Sequence, residues 1–365
     1  MRKAVKGMLA LAAGGGLAVA PMLAAGSAQA LPPPTTVYVS PTGSIFNAGT
    51  SCQTATFTSI NTAIVAVASG GTVNVCHGTY FTDALAIKPL TLWGHGAIIN
   101  ATGKPNGVTV LAPNVTVRDL FVRDAHLDGI FVHTHGARIL DNASFHNGST
   151  GISFNGASSS IAFDNTTRFN KAGGINLADD FGPTSNIRVI DNDASDNPGG
   201  CGIIMASHTG AGVSDNLVRD NVADDNGTIP ASSGSGILMA TGAPHGAVYN
   251  NLVDHNWVSG NGLAGVTVHG HIPGLNLNGN AVTNNVIGTN NLDGDPIGLA
   301  PPGVNVPDPW TTGVLVASSS PLSITVANNS ISDNHVGIWR TSLVKIVGVN
   351  TNTYTNVLIP VRYAP

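Results

Sequence analysis

The chain of 365 residues contains no glutamate: all 20 of its acidic residues are aspartate, and only 10% of its residues are charged. Water-facing helices depend on glutamate, lysine, arginine and alanine, so a helical bundle or a coiled coil is excluded. Basic residues are scarce as well, 15 in all, and three of them (Arg2, Lys3 and Lys6) stand in the first six positions. Setting these aside leaves 12 basic groups against 20 acidic ones, a balance that speaks against nucleic acid as a partner. After the first 30 residues no run is long and apolar enough to span a bilayer. Only three cysteines are present, whereas 45 glycines and a 42% hydrophobic content describe a chain with a core and many tight turns.

The beginning reads as a leader. Arg2, Lys3 and Lys6 precede the apolar stretch from Met8 to Leu23, and Ala28-Gln29-Ala30 supplies the small residues that a signal peptidase needs. Residues 1–30 are therefore expected to be a signal peptide cleaved after Ala30, with a secreted mature protein. Gly14, Gly15, Gly16 and Pro21 interrupt the stretch and oppose its reading as a membrane anchor. Export leads to an oxidising compartment, so Cys52 and Cys76, which flank one short helical stretch, are expected to pair. Cys201 is then left over as a buried, inert thiol.

The rest of the chain, 31–365, is organised by a repeat. A strand of glycine, Ile or Val, any residue, then an apolar residue begins at Gly107, Gly129, Gly151, Gly174, Gly202, Gly236, Gly265, Gly313 and Gly337. Between these strands two asparagines recur five positions apart, at Asn142/Asn147, Asn165/Asn170, Asn192/Asn197, Asn221/Asn226, Asn256/Asn261, Asn285/Asn290 and Asn329/Asn334. Asp119 and Asp124 are read as holding the same places one unit earlier. A coil that closes on itself and stacks on the next keeps such residues in register about 4.8 Å apart, where asparagines form a ladder and tolerate left-handed corners. Pairs such as Ile130/Val132, Ile152/Phe154 and Ile203/Met205 alternate with exposed residues at period two and supply the inward face. The expected fold is all-β, a parallel β-helix of roughly 10–12 coils. Residues 36–94 form the cap and first coils, 107–341 the glycine and asparagine coils, and 342–365 the last strands. Ile60, Ile64 and Val67 at helical spacing before Gly70-Gly71 predict a single capping helix over the open sheet edge.

With its cap helix, Gly78-Thr79-Tyr80 turn, glycine strands and asparagine ladders, the chain resembles the pectin-lyase-like right-handed parallel β-helix proteins over roughly residues 36–350. The resemblance implies the right hand. It also implies a choice among polysaccharide lyases, hydrolases, esterases, epimerases and non-catalytic surface proteins. The polygalacturonase signature is absent: Gly94-His95-Gly96 precedes Asp179-Asp180 instead of following it. The arginine base of pectate lyases is also missing from the groove, because Arg188 and Arg219 fall by parity on another face of the coil.

Insertions locate the groove. The loop after the glycine strand lengthens toward the middle coils, and Thr228–Ser235 and Leu292–Thr312 lengthen the segment before Gly236 and Gly313. The outward face of the strands from Gly174 to Gly313 becomes the floor, with Asn176, Ile204, Leu238, Thr267, His269 and Leu315 among its residues. Asp179, Asp180, His208, His245, His271, Asp293, Asp295, Asp308 and Trp310 form the wall. His208, His245 and His271 follow three consecutive glycine strands and are the candidate catalytic bases or metal ligands, with Asp179 and Asp180. Asn176, His269 and Trp310 are the candidate substrate contacts, Trp310 by stacking on a sugar. The metal is left open, with calcium at Asp179-Asp180 as the candidate and three imidazoles as a first-row alternative. The expected function is a monomeric, secreted polysaccharide lyase or hydrolase working on a polysaccharide or cell-envelope glycan. The alternative is a non-catalytic carbohydrate-binding surface protein.

Overall fold

The computed structural model describes residues 32–229, 234–292 and 310–364, and from Pro33 onward the chain forms one unit. The expected leader and the wall residues Asp293, Asp295 and Asp308 lie outside the described residues. Each coil lays down a glycine strand, a loop, a second strand, a corner, a short third strand and a second corner. The glycine strands make a parallel sheet of 11 strands, from Ala84–Ala86 to Ile359–Ala364. In its central coils Ile130, Ile152, Ile175, Ile203, Ile237, Val266, Val314 and Ile338 face one another in register. All eight are fully buried. A second parallel sheet runs from Thr36–Val39 to Val344–Val347. A third, of short strands, includes Val222–Asp224 and Trp257–Ser259.

The asparagines close the corners. Asn221 shows the pattern: its Oδ1 accepts from the backbone N–H of Asn192 at 2.9 Å and from Asn192 Nδ2 at 3.0 Å. Its own Nδ2 donates to the Val189 carbonyl at 2.9 Å and to Asn256 Oδ1 at 2.9 Å. A buried amide thus satisfies backbone groups that the corner leaves outside the sheet ladder, and it passes the same geometry to the next coil. The ladder also explains the strand glycines. A Cβ on Gly129, Gly202, Gly236 or Gly265 would stand 2.7–2.8 Å from the Nδ2 of Asn147, Asn226, Asn261 or Asn290 respectively. The two sequence signatures are one packing constraint seen from its two sides.

Three details differ from the sequence reading. Where a corner is left-handed, the residue that adopts this conformation is the one before the asparagine, as at Asp141, Asp164, Asp191 and Asp220 with φ of 55–56°. Asp119 and Asp124 therefore match Asp141 and His146. The ladder places of that coil belong to Leu120 and Ala125, whose N–H groups donate to Asn142 and Asn147. A third ladder runs through Asn216, Asn251 and Asn280, five residues ahead of Asn221, Asn256 and Asn285.

Helix α1 (Ile60–Ala66) starts at the Ser59 cap and buries Ile60, Ala63 and Ile64 against the first coils. Lys88 Nζ donates to the carbonyls of Val65 and Val67, which ends the helix one residue short of Val67. A disulfide joins Cys52 to Cys76 with Cα atoms 5.5 Å apart and fastens the cap to the stack. Cys201 is buried, and burial pushes its thiol up to about 11, so it stays protonated.

Removing one rung should be costly because it strands donors and acceptors above and below. Asn221→Ala should lower stability by about 2–4 kcal/mol, read from thermal or denaturant unfolding. Asn356→Gly, which keeps the left-handed φ of 53° accessible and loses only an exposed contact to Asp333, should change it by less than about 0.5 kcal/mol.

Candidate functional site

The outward face of the glycine sheet does carry a groove, but it lies further toward the N-terminus than the insertions suggested. Asn176, Ile204 and Leu238 line up across adjacent strands and remain half-buried. The next two residues in that row, Thr267 and Leu315, are at most 1% exposed. A second apolar cluster of Leu263, Ala264, Leu315, Ala317, Val336 and Trp339 covers that end, with Trp310 packed on it. Trp310 stacks on His335 at 4.6 Å, and Arg362 lies 4.0 Å over its ring. Two partners that close to one ring take its two faces, so Trp310 is a clamp over the closed end and no platform for a sugar.

Asp179 and Asp180 have opposite surroundings. Asp179 is fully buried, and its carboxylate accepts from the backbone N–H groups of His208, Thr209 and Gly212 and from Ser207 Oγ, at 2.6–3.2 Å. Burial alone would raise its pKa, but these four donors outweigh it and hold the carboxyl below its usual range. Asp179 fastens the 207–212 loop and has no oxygen left for a cation or a substrate. The expected calcium pair is therefore not formed.

Asp180 is solvent-facing. Its Oδ1 lies 3.0 Å from His208 Nδ1, and its Oδ2 accepts from Asn155 Nδ2 at 2.8 Å. With the shared proton on Nδ1, His208 Nε2 is the free acceptor nitrogen. The next residue, Phe181, is 63% exposed and meets Phe131 and His133 edge-on at 5.9 and 5.6 Å. His133 Nδ1 in turn contacts the Asn155 carbonyl at 2.8 Å. The open part of the groove thus joins a carboxylate-imidazole pair to an aromatic wall, with the Asn176 amide on the floor.

The three loop histidines do not converge. His245 is exposed at a left-handed position (φ 65°), and no side-chain partner is found for it among the described residues. His271 stands edge-on to His269 with ring centroids 4.3 Å apart, at the covered end. Among the described residues no three His, Cys or Asp side chains gather closely enough to share a metal ion. His269 is 2% exposed, and neither ring nitrogen has a hydrogen-bond partner. Burial, with the neighbouring His271 second, pushes its pKa down to about 3, so it is a neutral space-filler.

Sequence reasoning missed Phe131, His133, Asn155 and Phe181. His133 and Asn155 stand four residues after Gly129 and Gly151, the position that His269 holds after Gly265, so extending the row two coils back would have found them.

Residues 106–282 match the family described as right handed beta helix region. No curated protein matches the chain by sequence. Among solved structures, the A-module of mannuronan C-5 epimerase AlgE4 from Azotobacter vinelandii superposes with a TM-score of 0.60 at 17% identity, covering 84% of this chain and 94% of that one. Pectate lyase Pel9A gives 0.51 at 16% identity, covering 87% and 78%. Alginate lyase from Paenibacillus sp. str. FPU-7 gives 0.51 at 15%, covering 83% and 96%. At these identities the likeness establishes the coil and its right hand, and it assigns no residue a role.

His269 makes the fold sensitive to acid. Its pKa is depressed on folding, so below about 6.5 the unfolded chain binds a proton that the folded chain refuses, and stability falls as pH falls toward 3. Thermal midpoints compared between pH 6.5 and pH 4 should drop less in His269→Leu than in the unaltered protein. An equal drop would mean that His269 finds a proton acceptor.

Proposed function

We propose that this pectin-lyase-like right-handed parallel β-helix protein is exported and cleaves a uronate-containing polysaccharide by β-elimination, with His208 as the base. The observation that carries the reading is the solvent-facing Asp180–His208 pair on the open groove. Asp180 orients the imidazole so that Nε2 can take the proton next to the sugar carboxylate. The electron pair left behind forms the new double bond as the bond to the leaving glycosidic oxygen breaks, and that oxygen is reprotonated from His208 or water. Phe131 and Phe181 offer apolar faces to the sugar rings.

Elimination is favoured over hydrolysis because a hydrolase needs two carboxyl groups flanking the bond. Asp180 is available, while Asp179, its neighbour, is fully engaged by four donors. Export is supported by the leader sequence and by the Cys52–Cys76 disulfide. A second reading, adsorption without turnover, is favoured by one observation: Ala178, Ile204, Ala206, Leu238 and Ala240 make the middle of the floor apolar.

Uronate and neutral polysaccharides, incubated with the protein, separate these readings. Elimination yields unsaturated ends, hydrolysis yields reducing ends without unsaturation, and adsorption yields neither. His208→Ala should cut the rate at least about 100-fold, and Asp180→Asn should slow turnover while leaving glycan binding nearly intact. Glycan binding without turnover, unchanged in His208→Ala, would replace the lyase by the binder.

A further inference from the structure

The outward face of the second sheet, away from the groove, carries three arginines around an apolar hollow of about 390 Å³. Arg138 and Arg188 stand in one row with Ile161 between them, and Arg118 stands in the adjoining row with Leu140 and Phe163. Arg138 and Arg188 are exposed, and among the described residues none of the three guanidinium groups has an ion pair; Arg118 rests on the Trp93 ring at 4.7 Å. Phe163 and Leu252 on the same face are 39% and 36% exposed. In a chain with 15 basic residues and a net charge of −5, three arginines gathered on an apolar floor make a surface suited to an anionic counterpart.

The counterpart is on the same molecule. The corner bounding this face stacks Asp119, Asp141, Asp164, Asp191 and Asp220, one per coil, all left-handed with φ of 55–56°. Successive coils place them about 4.8 Å apart. Among the described residues, only Asp220 of the five has an ion pair, with Arg219. An unrelated polyanion drawn to the arginines would meet this carboxylate row beside them. A second copy brings both rows at once.

We propose that the second sheet's outer face is a two-fold, self-complementary interface with another copy of this chain. Symmetry selects the arrangement. A two-fold axis across the solenoid would lay each row on its own kind, arginine on arginine. An axis parallel to the solenoid reverses the order of rows and keeps the coils level, which sets Arg138 and Arg188 of each copy against Asp141 and Asp191 of the other. Leu140, Ile161 and Phe163 are then covered between them. The monomer expected from the sequence gives way to a side-by-side dimer that leaves both grooves open.

Sedimentation or light scattering of the full chain over a range of micromolar concentrations tests this. The unaltered protein should be dimeric at low salt and dissociate as salt is raised. Arg138→Asp/Arg188→Asp and Asp141→Lys/Asp191→Lys should each stay folded and be monomeric alone, and should form a one-to-one heterodimer when mixed. A monomer at every concentration and salt overturns the proposal. So does a dimer that survives both sets of substitutions. A monomer that binds an acidic glycan through Arg138 and Arg188 also overturns it and assigns the face to a polyanion. Polysaccharide cleavage is not used in this readout, so failure here leaves the groove assignment standing.

Discussion

Everything in this molecule depends on a buried primary amide that serves its own coil and the next. A parallel coil must turn its backbone away from the sheet two or three times, and each turn leaves peptide groups without ladder partners in the interior. Asn142, Asn165, Asn192, Asn221, Asn256, Asn285, Asn329 and Asn352 meet that need in one continuous file, each accepting from the coil before. Because the amides of the companion file, among them Asn147, Asn226, Asn261 and Asn290, occupy the space where the strand residue's Cβ would go, glycine follows from asparagine. The flat, regular glycine sheet follows from both, and that sheet supports the groove.

The groove's chemistry hangs on an asymmetry between two adjacent aspartates. Asp179 is drawn inward and consumed by the 207–212 loop, and that loop presents His208 to Asp180. The buried carboxylate thus acts on function indirectly, by fixing where the imidazole stands. Its lowered pKa is a sign of good solvation by protein donors, and the neighbouring Asp180, which has no such cage, is the one open to a substrate.

The fold was legible because its determinants are periodic. A recurring glycine strand and two asparagines five apart specify stacking, closure and which residues point in. What the sequence hid was anything set by the direction of a single side chain. Asp119 and Asp124 read as ladder residues because aspartate resembles asparagine, whereas the ladder requires an amide and the corner before it tolerates a carboxylate. His208, His245 and His271 read as a group because their strands are neighbours. Only His208 has a partner that holds it in the groove, and Trp310 faces inward because His335 and Arg362, distant in sequence, close on its ring. Loop lengths located the walls of the groove yet misplaced its open end, since a long loop covers a floor as readily as it borders one.

The left-handed position at the second corner holds Asp124, His146, Phe169, Asp196, Asp225 and Gly260 in successive coils, a carboxylate, an imidazole, a phenyl ring and a bare backbone at φ of 55–70°. The residue there contributes a conformation to the fold and a side chain to the surface, and the two are nearly independent. Substitution along such a column can therefore drift from acidic to aromatic without disturbing the core one residue away. A solenoid of this kind offers lineages a surface they can rewrite, coil by coil, over an interior that stays the same.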